Sequence, residues 1–351
     1  MQDLLSKTKT KTATKNIRTN NKIHVILMVL LPLLLFFLSI CFGRYWVSPE
    51  TVLKILFTHV LPITPDWSAL QESVVLSIRL PRIILVMLVG AGLAVAGAAF
   101  QGLFGNPLVS PDILGVSAGA GFGAALAIMA SGQLALIQLM AFSFGIVAVV
   151  ITYSIGHLKT GTPLFMLVLS GVITGAFFQA LISLLKYLAD PNDKLPTIVY
   201  WLMGSMAGAT YTDLIIGMPL ILGGIFILYL LRWRINILSL DEEEARSLGI
   251  DVQCLRWLVI IAATVITATA VSLCGIVGWV GLVVPHIGRM LVGPDHRKLL
   301  PACISIGAFL LLFIDNIARS ATSAEIPLSI LTAVIGAPFF AYLLRKTGGK
   351  W

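Results

Sequence analysis

Charge is what this chain has least of. Only 11% of its 351 residues are charged, against about 25% in an ordinary soluble domain. So few polar side chains cannot cover a water-facing surface, and a composition 58% hydrophobic excludes a disordered chain. Cysteine is scarce as well. The four present (Cys41, Cys254, Cys274 and Cys303) form no C-x-x-C pair, which excludes a disulfide-stapled secreted domain. All lie in or beside apolar stretches and read as small packing residues. Catalytic signatures are missing too. No G-x-x-x-x-G-K-[ST] loop occurs, since Gly348-Gly-Lys-Trp351 lacks both the first glycine and the hydroxyl. No H-E-x-x-H or paired-carboxylate site appears, so the chain reads as a non-enzyme.

Hydrophobic length is what the chain has in abundance. Mean hydropathy is +0.97, and crossing a bilayer takes roughly 20 apolar residues. Ten stretches qualify: 23–42, 82–104, 112–131, 135–157, 163–188, 213–232, 254–273, 276–292, 299–319 and 327–345. The expected fold is therefore all-α and polytopic. Residues 1–22 form a basic tail, 23–346 one transmembrane domain with a loop at 233–253, and 347–351 a short tail. The first stretch follows a basic segment as a signal peptide would. Leu38-Ser-Ile-Cys41, however, has isoleucine where a lipobox needs a small residue, and no A-x-A follows. It is read as an uncleaved helix.

The net charge of +8 is concentrated on one side. With the N-terminus inside, 17 of the 24 lysines and arginines fall on the cytoplasmic side. That bias places both termini in the cytoplasm. The basic tail suits an anionic leaflet of membrane lipid rather than nucleic acid. Glycines and alanines at 90–98 and 115–123 read as close helix packing. A loose internal echo links Ala94–Gly115 with Ala270–Gly293, which start in crossings of opposite direction. An inverted repeat produces such a pattern.

Three polar features stand out. Asp315 lies well inside the ninth stretch with Arg319 at i+4, where an acid ahead of a base pairs well; a structural ion pair and a proton relay are both open. Ser239 and Glu242 form a capping box and Gly249 suits a helix C′ position. A short helix thus follows Asp241, either a solvated linker or a docking element for a soluble partner. Externally, Arg79, Arg82 and Arg319 either snorkel to headgroups or receive acidic residues of a partner.

Several segments stand together in order: Arg79-Leu-Pro-Arg82, Asn106-Pro-Leu, Leu114-Gly-Val-Ser-Ala-Gly119, Gly278–Arg289, Asp295-His-Arg, Glu325-Ile-Pro-Leu and Gly336-Ala-Pro-Phe339. They resemble the FecCD-type permeases of type II ABC importers, over about residues 25–346. The resemblance implies a homodimer, or occasionally a heterodimer, with the translocation path between subunits. Two ATP-binding subunits dock beneath and an extracytoplasmic substrate-binding protein docks outside. The chain itself is expected to bind no cofactor or metal, ATP and magnesium belonging to the ATPase. The resemblance assigns ATPase coupling to Asp241, Glu242, Glu243, Glu244, Ala245, Arg246, Leu248 and Gly249. It assigns binding-protein docking to Arg79, Arg82 and Arg319. It places the cytoplasmic gate at Thr160, Gly161, Thr162 and Pro163, where the loop here reads Lys-Thr-Gly-Thr-Pro. The fifth, eighth and tenth helices line the path and 197–208 caps it outside. The implied cargo is a ferric siderophore, with haem or cobalamin as alternatives, imported across the plasma or inner membrane. An ion-coupled secondary transporter is the competing class; it would need more buried ionisable groups than this chain has.

Overall fold

A computed structural model describes residues 26–58, 64–157, 163–238, 242–247, 249 and 251–347, and among them every regular element is helical. The described residues begin with α1 (Ile26–Cys41). It continues with α2 (Pro49–Phe57), α3 (Ala69–Ser73), a π turn (Val74–Arg79), α4 (Leu80–Leu103), a 3₁₀ turn (Pro111–Leu114), α5 (Val116–Ala130), α6 (Leu134–Gly156) and α7 (Leu164–Leu188). Next come α8 (Lys194–Leu202), α9 (Tyr211–Ile237), α10 (Glu242–Ser247), α11 (Val252–Cys274), α12 (Val280–Val292), α13 (His296–Ser320) and α14 (Leu328–Thr347). Among the described residues, six helices are long and apolar enough to cross a membrane. The four shorter apolar helices, α1, α5, α12 and α14, fall on the remaining expected stretches. The all-helical, polytopic expectation holds. Below, the end of the bundle that carries α10 is the inner end.

Helix α4 is the centre of the molecule. It packs on α9, α11, α12 and α13, and 89% of its most apolar window is buried. Pro81 explains how α4 starts: it has no N–H to donate, and its ring crowds the carbonyl four residues back. The turn before it accordingly widens into π geometry at Val74–Arg79. Further along, small residues bring backbones into contact. A Cβ on Gly90 would strike the carbonyl oxygen of Gly307 on α13, and one on Gly307 would strike that of Gly90. Gly97 meets Gly281 of α12 in the same way. Without a side-chain layer between them, the helices associate through dispersion contacts. The close packing expected of these glycines is present.

Two halves of the bundle use the same set of neighbours. Helix α4 meets α13 and α12, while α11 meets α6 and α5; α5 pairs with α6 as α12 pairs with α13. Likewise α7 touches α5 and α6, and α14 touches α12 and α13. Each half also contains one irregular stretch, residues 104–115 after α4 and 275–279 after α11. This is the inverted-repeat arrangement that the echo between Ala94–Gly115 and Ala270–Gly293 suggests. The outer faces are apolar and bare: Phe165 is 74% exposed on α7 and Ile215 is 74% exposed on α9. In water such faces would be costly; in hydrocarbon or against another subunit they are not.

Candidate functional site

The outer end of the bundle gathers the three arginines, and each is engaged within the chain. Arg79 donates from Nη1 to the carbonyl oxygens of Ile40 (2.6 Å) and Cys41 (3.1 Å). Its Nη2 donates to the carbonyl of Tyr45. Arg319 donates through Nη2 to Ser39 O at 2.6 Å and to Asn316 Oδ1. Ser39, Ile40 and Cys41 end α1, where the last carbonyls have no helical partner. Two guanidiniums therefore cap α1 and complement the negative end of its dipole.

Arg82 is held differently, between two carboxylates. Its inner edge faces Asp315, with Nη2 2.7 Å from Oδ1 and Nε 3.2 Å from both oxygens. Its outer edge makes a fork with Glu325, Nη1–Oε1 at 2.8 Å and Nη2–Oε2 at 2.9 Å. Asp315 is fully buried, whereas the Glu325 side chain keeps 23% of its surface exposed. Burial alone would raise the Glu325 carboxyl, but the hydrogen bond and charge of Arg82 outweigh it and hold the group below the usual carboxylate range. The expected Asp315–Arg319 ion pair is present but long: Arg319 Nε stands 3.9 Å from Asp315 Oδ2, beyond hydrogen-bond reach. The close backbones of α4 and α13 also deliver Arg82 to that carboxylate, as its nearer partner. Sequence reasoning missed Glu325 as a partner of Arg82, although the Glu325-Ile-Pro-Leu motif was visible. It also missed Arg44, exposed beside the cluster and donating to Thr322 O at 2.9 Å.

The outer end also contains the stretch expected to cap the path. Helix α8 covers Lys194–Leu202, so the first half of the stretch 197–208 is helical. Behind it lies a cavity of about 840 Å³ bordered by α6, α9 and α11. The turn that follows is pinned by backbone bonds: Ser205 N to Cys274 O at 2.8 Å, Leu328 N to Gly204 O at 3.0 Å, and Ser329 N to Met203 O at 3.1 Å. The start of α14 is thereby fastened to the end of α8.

At the inner end, α10 spans Glu242–Ser247. Ala245 is 1% exposed and packs in a cluster with Ile237 and Val252, while Glu244 and Ser247 face outward. Gly249 adopts φ +74°, the left-handed conformation expected of it. Beside this helix, Asn236 donates to Asp295 Oδ1 at 2.7 Å and accepts the His296 N–H at 2.9 Å. The Arg297 N–H on Asp295 holds that carboxyl low. α9 is thus tied to the start of α13. Of the assigned residues, Asp241, Leu248, Thr160, Gly161 and Thr162 lie outside the described residues; Pro163 precedes α7 in extended conformation. Three of the cysteines are buried as expected, and Cys254 is exposed.

An all-helical, multi-pass bundle with a short, firmly seated helix at one end and an arginine cluster at the other has the build of an ABC importer's membrane subunit. The chain belongs to the FecCD transport family, which it matches over residues 30–346. It is 44% identical to a molybdate import permease of Haemophilus influenzae, over 88% of this chain and 91% of that one. It is 42% identical to a Helicobacter pylori permease named for iron chelatin transport, over 79% and 83% of the two chains. A solved structure described as an inward-facing metal-chelate type ABC transporter aligns with a TM-score of 0.83 at 41% identity, covering 93% of this chain and 99% of that one.

Proposed function

We propose that this ABC importer permease carries a ferric siderophore into the cytoplasm as one of two identical membrane subunits. The observation behind the coupling role is the seating of α10. Its buried Ala245 fixes it to α9 and α11 while Glu244 and Ser247 stay exposed for a groove of an ATP-binding subunit. ATP and magnesium act on two such subunits, and this chain hydrolyses nothing. Both termini lie in the cytoplasm and the membrane is the plasma or inner membrane. The bare faces of α7 and α14 meet the second copy and line the path, α8 closes it outside, and the 160–163 loop closes it inside. A substrate-binding protein docks on the positive outer cluster with acidic residues. Of the three arginines, Arg82 offers a carboxylate-binding edge, while Arg79 and Arg319 supply field and hold α1.

The iron-chelate reading draws on the Helicobacter pylori relative and on the metal-chelate neighbour. Molybdate is the second reading, favoured by the Haemophilus influenzae relative. Proteoliposomes holding this chain with its ATPase and binding protein decide between them. Labelled ferric siderophore, cobalamin, haem and molybdate are offered with and without ATP on the ATPase side. ATP-dependent uptake of the siderophore alone is expected. Uptake of molybdate alone would replace the cargo, and uptake driven by an ion gradient without ATP would overturn the importer mechanism.

A further inference from the structure

We propose that Glu325 is an internal stand-in for a carboxylate of the docking protein, occupying the outer edge of Arg82 until that carboxylate displaces it; this rests on the docking reading above. The geometry divides Arg82 into two halves. Asp315 takes the inner edge and is fully buried, so it forms the permanent floor. Glu325 takes the outer edge in the parallel two-bond geometry that a partner's carboxylate would use. Glu325 is also the solvent-side group of the pair, on a loop whose residues 321–324 are exposed.

The charges around it favour an exchange. The groups facing Glu325 are Arg82 from α4, Arg319 and Asp315 from α13, and Arg44 from the segment after α1, with Arg79 just beyond. Four guanidiniums therefore meet two carboxylates. A carboxylate brought from outside enters a field that is short of negative charge. The displaced Glu325 stays beside Arg44, which already holds its loop through Thr322 O. An acidic protein is thus the partner that the surface fits.

The exchange has a mechanical consequence. Glu325 stands three residues before Leu328, whose N–H fastens α14 to the turn after α8. Releasing Glu325 loosens the segment that leads into that fastening. Docking outside is in this way linked to the helix that caps the path.

The test uses the assembled importer in nanodiscs and its binding protein, with affinity measured by surface plasmon resonance. Glu325→Gln keeps the shape but removes the competing charge. Affinity is expected to rise about tenfold, and the rise should vanish when Arg82→Gln is added. Unchanged or weaker binding by a Glu325→Gln importer with a normal melting temperature would overturn the stand-in role. If Glu325→Gln disturbs assembly, Glu325→Asp serves instead. Its shortened reach should still tighten binding, and unchanged or weaker binding would overturn the proposal. Arg82→Gln alone separates the two readings. Weakened binding without tightening by Glu325→Gln sinks only the stand-in, whereas binding indifferent to Arg82→Gln and to salt sinks docking itself.

Discussion

At the scale of single residues, Asp315 carries the largest penalty. It is fully buried, and its removal leaves Arg82 with only the partly exposed Glu325. Breaking a buried pair on one side costs about 3–5 kcal/mol, so Asp315→Ala should lower the melting temperature of the purified permease sharply. Pairing Asp315→Asn with Arg82→Gln should recover much of the loss, because no unmatched charge stays buried. Unchanged melting in Asp315→Ala would mean that the carboxylate is dispensable. The sequence made Asp315 and its ion pair with Arg319 legible but not its closer partner, Arg82. Spacing along one helix exposes only neighbours at i+3 and i+4, and a partner 233 positions away depends on how two helices cross. The arginines illustrate the same limit. Their number and side were readable, but the α1 carbonyls they satisfy were not, since backbone acceptors leave no mark in a sequence.

At the scale of elements, legibility was higher. Long apolar runs and proline or glycine breaks located the ten apolar helices, because hydrophobic length is a direct requirement of the bilayer. The π turn before Pro81 and the helical character of 194–202 escaped, being short and dictated by neighbours. Helix α10 was legible from Glu242 and Gly249, which follow local rules. Its attachment is one small side chain, Ala245, set between Ile237 and Val252. A proline there removes an N–H and clashes within a helix of six residues. Ala245→Pro should therefore abolish co-purification of the ATP-binding subunits while the permease still inserts. Normal co-purification would show that coupling lies elsewhere.

At the scale of the whole molecule, orientation can be read from one thiol. Cys254 is exposed near the start of α11, and Cys41, Cys274 and Cys303 are buried. With the α10 end in the cytoplasm, a membrane-impermeant maleimide should label inside-out vesicles and spare intact cells. Labelling of intact cells, lost in Cys254→Ser, would invert the topology. A second consequence follows from Gly90 and Gly307, whose backbones touch. Where two helices meet without side chains, there is no compressible layer to yield under load. Helices α4, α12 and α13 then behave as a stiff frame, and a change of access has to be absorbed where long side chains and irregular joints provide slack, at α7, α8 and α14. Stiffness in this protein is written in its smallest residues, and compliance in its largest.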